Sequence, residues 1–265
     1  MIKLVVIDLD GTLLDANHCI SVRSKQVLQQ VYAQDIPIML ATGRHYQDVY
    51  LLAKQIDIPL YLITSNGARV HARDGRLLYE NHIPQDLIGE ILQISQGYEV
   101  HRNLYQQDLW LVEEPNEPLL NIHHASGFAY RITDFAKIDY NHIDKFYFNA
   151  PYEKLKPLQQ KLIQRFGDQL YITFTTEIYL EVMNKGVSKG QALQQMLNIK
   201  GIKPSEVMAF GDGLNDVDML NLVGHPVLMA NAHQELKSLF PQAQQTLSNA
   251  ENGVAHYLEK YVLTS

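Results

Sequence analysis

The strongest constraint on the fold is an alternation of short apolar strands and helices near both ends of the chain. Leu4–Ile7 is a continuous apolar run, which is typical of a strand buried on both faces of a parallel sheet. Ser21 is then a suitable N-cap for a first helix. Further strands at 36–41 and 59–64 flank a second helix. This alternation predicts right-handed β-α-β crossovers and therefore an α/β fold.

The middle of the chain follows a different pattern. From about Pro84, helices are mixed with strands that are close enough in sequence to pair as hairpins, which favours an α+β module with a mostly antiparallel sheet. After Gly186 the strand–helix alternation resumes. The sequence therefore predicts a parallel α/β core at residues 1–83 and 186–265, interrupted by an α+β insertion at 84–185.

Composition narrows the classes of partner. The 265 residues include 22 basic and 29 acidic ones, a net charge of −7, and show no basic stripe, which disfavours nucleic acid. The single cysteine, Cys19, excludes a disulfide framework and a thiolate metal cluster. We see neither a signal peptide nor an apolar run of about 18 residues, the length of a membrane helix. We expect a soluble cytoplasmic protein without a membrane partner, either a monomer or a weak homo-oligomer.

Polar residues follow the predicted core strands at the point where each strand ends. Asp8 and Asp10 follow the first strand, Thr42 follows the second, and Asp212 follows a later strand at 207–210. Ligands of open parallel sheets bind beyond the carboxyl ends of the strands. The shared placement therefore predicts a ligand site at one edge of the core sheet.

The acids at this edge indicate a cation. Two carboxylates spaced like Asp8 and Asp10 point the same way from an extended segment, and "GDGLND" adds Asp212 and Asp216. So many carboxylates need a counter-charge, and oxygen ligands alone suit Mg²⁺. The alternatives are an ordinary Asp–Gly turn and a capped loop with solvated acids. A dinucleotide-binding GxGxxG motif is excluded, because Asp216 occupies the position of its third glycine.

Two further stretches point to phosphate. Ser188 is a suitable N-cap, which places Lys189 in the first helical turn, where a cation opposes the helix dipole by a few tenths of a kcal/mol. If the lysine faces carboxylates and a phosphate, its attraction to those anions outweighs that cost. Thr42 and Gly43 offer a hydroxyl and an amide to an anionic oxygen, although a plain strand-to-helix turn is the alternative. Together with a nucleophilic carboxylate, this set suits phosphoryl transfer.

Taken in order, "DLDGT", "TGR", "SKG" and "GDGLND" resemble the four motifs of the haloacid dehalogenase (HAD) phosphatase superfamily. "ITSNGA" at 63–68, "LEVMNKGVSKG" at 180–190 and "ANAHQELK" at 230–237 are similar to the Cof-type branch, nearest to bacterial pyridoxal-phosphate and sugar-phosphate phosphatases. The resemblance covers essentially the whole chain. It implies a Rossmann-like catalytic core and a substrate-selecting α+β cap at 84–185. The long interval from Asn66 to Lys189 has room for that cap, whereas the interval from Asp8 to Thr42 has none.

The resemblance also implies roles for individual residues. Asp8 would be the nucleophile and a Mg²⁺ ligand through its carboxylate. Asp10 would protonate the leaving oxygen and then activate water, while its carbonyl binds the metal. Asp212 would be the third protein ligand, with Asp216 in a supporting role. The phosphoryl oxygens would be held by a set of amides and side chains: Leu9, Thr42, Gly43, Lys189 and Asn215.

Four more residues are weaker candidates for contact with the leaving group of the substrate: Arg44, His45, Asn66 and Glu181. For Arg44 the alternative is a surface salt bridge, and for Glu181 it is a solvated strand face.

Three classes of function fit these features. The first is a Mg²⁺-dependent phosphatase that hydrolyses small phosphorylated metabolites through an aspartyl-phosphate. The second is a phosphotransferase or phosphomutase that hands the same phosphoryl group to another acceptor. The third is a non-catalytic phosphate-binding module, although binding alone would not require an acid–base residue beside the nucleophile.

Overall fold

The structure is a computed structural model that describes residues 1–124 and 126–264. The chain divides into two compact units. Unit 1 consists of Met1–Tyr79 and Ser188–Ser265, and unit 2 consists of Glu80–Val187.

The elements are numbered along the chain. The strands are β1 Leu4–Asp8, β2 Ile38–Ala41, β3 Tyr61–Thr64, β4 Arg69–His71, β5 Leu77–Glu80, β6 His101–Gln106, β7 Leu109–Val112, β8 Arg131–Ile132, β9 Ile143–Asn149, β10 Leu170–Thr176, β11 Tyr179–Asn184, β12 Val207–Gly211, β13 His225–Leu228 and β14 Gln244–Gln245. The helices are α1 Val22–Ala33, α2 Tyr46–Ala53, α3 Gln85–Ser95, α4 Glu117–Ile122, α5 Tyr152–Phe166, α6 Lys189–Lys200, α7 Val217–Leu222, α8 Gln234–Leu239 and α9 Gly253–Tyr261.

The sheet of unit 1 has the strand order β14-β13-β12-β1-β2-β3-β4-β5. Its centre is parallel: β1 pairs with β12 on one side and with β2 on the other. Every residue of β1 is buried, as its continuous apolar sequence predicted. Asp8 lies opposite Ala41, so the residues that follow β1 and β2 leave the sheet at the same edge.

The sheet of unit 2 has the strand order β10-β11-β9-β6-β7-β8 and is antiparallel except for the pairing of β7 with β8. An apolar cluster joins α3 and α5 to this sheet and includes Ile88, Phe146, Leu158 and Val182. The predicted fold class, a parallel α/β core sheet with a second α+β module, is confirmed.

Local differences from the sequence prediction have simple causes. The strands predicted at 36–41 and 59–64 begin only at Ile38 and Tyr61, after Pro37 and Pro59, whose nitrogens cannot donate to a neighbouring strand. The strands β8 and β14 are two residues long, too short to leave a periodic pattern. Across the part of the chain that the structure describes, no helix combines the length and apolar character needed to cross a bilayer.

Candidate active site

Lys189 lies at the centre of the acids that follow the core strands. The helix α6 begins at Lys189, and the Ser188 hydroxyl accepts a hydrogen bond from the Gln191 amide at 3.1 Å, so the predicted helix start is confirmed. The lysine side chain is fully buried, and its Nζ donates to Asp8 Oδ1 at 2.6 Å and to Asp216 Oδ1 at 2.7 Å. The start of α6 therefore places one ammonium group in contact with two acids, one at the end of β1 and one in the loop after β12.

Asp8, Asp212 and Asp216 form a compact carboxylate cluster, in which one oxygen of each lies within 4.8 Å of the others. The Thr12 hydroxyl donates to Asp212 Oδ1 at 2.8 Å. Gly11 has a left-handed backbone (φ 79°), and a Cβ there would lie only 2.2 Å from Asp212 Oδ2. Glycine at this position therefore lets the turn after β1 approach the Asp212 carboxylate.

Asp216 is fixed by three donors. Its Oδ2 accepts hydrogen bonds from the backbone amides of Asp212 and Gly213, each at 3.0 Å, while its Oδ1 accepts from Lys189. Both carboxylate oxygens of Asp216 therefore accept hydrogen bonds from the protein. The two bonds from backbone amides orient the loop that carries Asp212. This arrangement suits the supporting role predicted for Asp216, and that role stays a prediction.

The cluster carries more negative than positive charge, since three carboxylates face one ammonium group. Burial raises the pKa of Asp8, and the neighbouring Asp216 and Asp212 add to the rise although Lys189 opposes it. Burial and Asp216 together raise the pKa of Asp212 to about 6. Burial lowers the pKa of Lys189, but the charges of Asp216 and Asp8 outweigh it and raise that pKa above its ordinary value. Excess negative charge on a set of oxygen donors fits Mg²⁺.

Asp10 is clamped by an arginine. Arg44 donates through Nε at 2.7 Å to Asp10 Oδ2 and through Nη2 at 2.6 Å to Asp10 Oδ1, a bidentate geometry. Its Nη1 donates to the fully buried Asp48 at 3.1 Å. The Arg44 side chain is only 7% exposed, so the alternative of a surface salt bridge is wrong. Asp48, in the first turn of α2, holds the guanidinium inside.

The clamp changes the acidity of Asp10. Desolvation would raise the pKa of Asp10, but hydrogen bonds from Arg44 and His18 outweigh that effect and hold the pKa below its ordinary value. The hydrogen bond with Asp10 in turn raises the pKa of His18, whose Nδ1 lies 3.4 Å from Asp10 Oδ1. While Arg44 holds it, Asp10 is therefore ionised at neutral pH.

Removal of the clamp should destabilise unit 1. We expect Arg44→Gln to lower the free energy of unfolding by about 2 kcal/mol, because the substitution removes charged hydrogen bonds and strips a cation from the buried Asp48. Urea unfolding at neutral pH measures the change. Arg23→Gln is the matched control, since Arg23 makes a similar bidentate pair with Glu259 at an exposed position and should change stability by less than about 0.5 kcal/mol. Equal losses of stability in the two variants would contradict the conclusion that the Arg44 ion pairs are buried.

Three of the residues predicted to bind phosphate lie at the end of β2 and in the loop after β12. The Thr42 hydroxyl oxygen accepts from the Arg44 amide at 3.1 Å, which leaves its hydrogen for another acceptor. A Cβ on Gly43 would lie 2.9 Å from Asn66 Oδ1, so a larger residue here would force the Asn66 side chain to move. Asn215 Nδ2 donates to Asn66 Oδ1 at 3.1 Å. Leu9 is buried directly after β1.

Two of the predicted leaving-group residues have local roles in the structure. His45 is fully buried, and its Nδ1 accepts from the Gln47 amide at 3.1 Å at the start of α2. Glu181 lies in unit 2, on β11, and accepts a hydrogen bond from Lys145 Nζ at 2.7 Å. Because Glu181 is buried, the alternative of a solvated strand face is wrong. Their contact with a substrate stays a prediction.

Several contributors were not predicted from the sequence. Besides Thr12, His18 and Asp48, two residues of the "ANAHQELK" segment support the site. Asn231 Nδ2 donates to the Gly11 carbonyl at 2.8 Å, and the His233 amide donates to the Asp212 carbonyl at 2.9 Å. The segment was already part of the family resemblance, but nothing in its residue types indicated which atoms it would contact.

Comparison with known protein families identifies the class of protein to which this fold and site belong. Residues 5–258 match the family described as haloacid dehalogenase-like hydrolase, and the chain belongs to that family. The resemblance inferred from the four motifs is therefore confirmed, and the protein is a hydrolase of the phosphatase class.

Individual relatives refine this picture. The chain is 36% identical to an HMP-PP phosphatase of Serratia proteamaculans (strain 568), over 99% of this chain and 96% of the relative. It is 32% identical to an HMP-PP phosphatase of Cronobacter sakazakii (strain ATCC BAA-894), with the same coverage of 99% and 96%. The crystal structure of a haloacid dehalogenase-like hydrolase from Bacteroides thetaiotaomicron superposes with a TM-score of 0.91 at 27% identity, covering 98% of this chain and 99% of that one.

Proposed function

We propose that the protein is a Mg²⁺-dependent phosphatase that hydrolyses small phosphorylated metabolites through an aspartyl-phosphate on Asp8. The observation that carries the proposal is the contact between Lys189 and Asp8 inside a carboxylate cluster, with the clamped acid Asp10 two residues further along the chain. A nucleophilic carboxylate beside a lysine, and an acid–base residue held in reserve, are the parts that such a reaction needs.

The residues divide the reaction into two steps. Because Arg44 and His18 hold the pKa of Asp10 below its ordinary value, Asp10 would first have to leave Arg44 and take up a proton from solvent. In the first step, an Asp8 carboxylate oxygen attacks phosphorus, the bond from phosphorus to the ester oxygen breaks, and Asp10 gives that proton to the ester oxygen. In the second, Asp10 removes a proton from water as the water attacks phosphorus, and the bond to Asp8 breaks to release phosphate. One acid serves both transfers because the first step leaves it as a base.

Lys189, Thr42, Gly43, Asn215 and the Leu9 amide would hold the phosphoryl oxygens during both steps. Asp8, Asp212 and the Asp10 carbonyl would hold the metal. Mg²⁺ at this position would neutralise charge on the transferring phosphoryl group. During both steps the protein must keep Asp8 ionised while a phosphate anion binds beside it. Because the pKa of Asp8 is raised even with Lys189 in contact, this arrangement needs a further cation.

The motifs and the named relatives point to different phosphate esters as substrate. The motifs resemble those of pyridoxal-phosphate and sugar-phosphate phosphatases, whereas two relatives over nearly the full chain are named HMP-PP phosphatases. We propose these three kinds of ester as the first to test. Phosphate release should be measured for HMP-PP, pyridoxal phosphate, and hexose and pentose phosphates, with Mg²⁺ and with a chelator. We expect Mg²⁺-dependent release from at least one. Release that is unaffected by the chelator would contradict the metal assignment, and silence across the panel would favour a phosphotransferase that needs an acceptor.

Mg²⁺ should stabilise the fold more strongly at neutral than at acid pH. Because the folded-state pKa of Asp212 is about 6 against an ordinary 3.8, the folded chain binds more protons than the unfolded chain between these values. The metal-free protein therefore loses stability as pH rises through this window, while Mg²⁺ favours the ionised carboxylates. We expect the shift in Tm on adding Mg²⁺ to be larger at pH 7.5 than at pH 5. A shift independent of pH would mean that Mg²⁺ binds elsewhere, and Asp212→Asn should abolish the difference.

A further inference from the structure

A second group of metal-ligating side chains lies in unit 2, outside the residues assigned to phosphate chemistry. Glu80 and His82 lie at the start of this unit, and His142 lies in the loop before β9. One ligand atom from each comes within 4.8 Å of the others. Glu80 and His142 are exposed and His82 is half-buried, so an ion from solvent can reach the group.

Two separations within this group match those around a small tetrahedral ion. His82 Nε2 lies 3.0 Å from Glu80 Oε2 and 3.3 Å from His142 Nδ1. Ligands at about 2.0–2.1 Å from a tetrahedral zinc ion are separated from one another by about 3.3 Å. Two of the three separations therefore already suit ligands of one ion, and the third, between Glu80 and His142, lies within 4.8 Å.

A buried carboxylate fixes the ring of His82. Its Nδ1 lies 2.9 Å from Asp144 Oδ1, and the Asp144 side chain is fully buried. A hydrogen on Nδ1 that faces Asp144 leaves Nε2 as the nitrogen that faces Glu80 and His142. Histidine ligands of metal ions commonly have such a carboxylate behind them, which sets the tautomer and raises the basicity of the ligating nitrogen.

We propose that Glu80, His82 and His142 bind a divalent transition-metal ion of the zinc type, with Asp144 as the residue that orients His82. Two imidazoles and one carboxylate favour Zn²⁺ over Mg²⁺, which prefers oxygen ligands only. Three protein ligands leave a fourth tetrahedral position for water. The site is chemically distinct from the all-oxygen cluster of Asp8, Asp212 and Asp216, and it does not depend on the proposed phosphatase mechanism.

The test is zinc binding by the full-length chain after it has been stripped with a chelator and returned to excess Mg²⁺. Competition with a chromophoric zinc chelator gives the affinity and the number of ions per chain, and the visible spectrum with Co²⁺ reports tetrahedral nitrogen and oxygen ligands. We expect one Mg²⁺-resistant zinc ion per chain. His142→Ala should weaken its binding at least about tenfold, because it removes a ligand outright. The exposed position of His142 should leave the fold unchanged.

The matched control is His225→Ala, which removes an exposed histidine from β13 in unit 1 and should bind zinc like the unchanged protein. Asp8→Asn should also leave the Mg²⁺-resistant zinc ion in place, which separates this site from the carboxylate cluster. The proposal is overturned if the unchanged protein binds no zinc in excess Mg²⁺, or if His142→Ala binds it as tightly. In the first case a proton shared by Glu80, His82 and His142 explains the grouping.

Discussion

Asp8→Asn is expected to lower phosphate release by more than about a thousandfold, because an amide oxygen cannot replace the attacking carboxylate. The fold should survive, since the change is nearly isosteric and Lys189 keeps Asp216 as a partner at 2.7 Å. It also removes one of three crowded carboxylates, so the free energy of unfolding in the absence of metal should be equal to or above that of the unchanged protein. Steady-state phosphate release and urea unfolding measure the two effects.

The matched control for this variant is Asp218→Asn, the same chemical change at an exposed acid of α7 in the same unit. Its activity should stay within about twofold of the unchanged protein, because surface substitutions away from special features have small effects. Retention of more than a few per cent of activity by Asp8→Asn would disprove the nucleophile assignment. If Asp8→Asn lost both its activity and its folded state, Asp8 would have a structural role and not a catalytic one.

The backbone part of this site could be predicted from the sequence because strand ends and helix starts have local signals. The apolar run Leu4–Ile7 indicated where a buried strand ends, just before Asp8, and Ser188 indicated the first turn of α6. Parallel strands then bring such ends to one edge of the sheet. The meeting of Lys189 with Asp8, 181 residues apart, follows from topology rather than from any direct signal in the side chains.

Side-chain partnerships without such a signal could not be predicted. The residue type of Arg44 fits substrate contact or a surface pair equally well, and the structure shows it buried between Asp10 and Asp48, while its contact with a substrate stays a prediction. Asp48 lies four residues further along, in the first turn of α2, where an acid is ordinary and indicates nothing more. The choice between solvent, substrate and two acids depends on side-chain torsions and burial, which residue type alone does not determine.

Lys189→Met is expected to destabilise the fold and to impair catalysis together. Methionine has a similar volume, so the packing of the side chain changes little, but Asp8 and Asp216 lose the cation that each contacts. Removing one partner from a buried ion pair costs about 3–5 kcal/mol. Phosphate release should fall about a hundredfold or more, since a charged donor to the phosphoryl oxygens is lost. Urea unfolding in the presence of chelator isolates the first effect from metal binding.

The double variant Lys189→Met with Asp216→Asn separates the two roles of this lysine. Asparagine keeps an oxygen that can accept from the amides of Asp212 and Gly213, while the uncompensated charge of Asp216 disappears. Stability should therefore recover in part relative to Lys189→Met alone, because one of the unpaired buried carboxylates is gone. Activity should not recover, since no donor replaces the ammonium beside Asp8. A double variant that regained activity as well as stability would show that Lys189 only balances charge and does not hold the phosphoryl group.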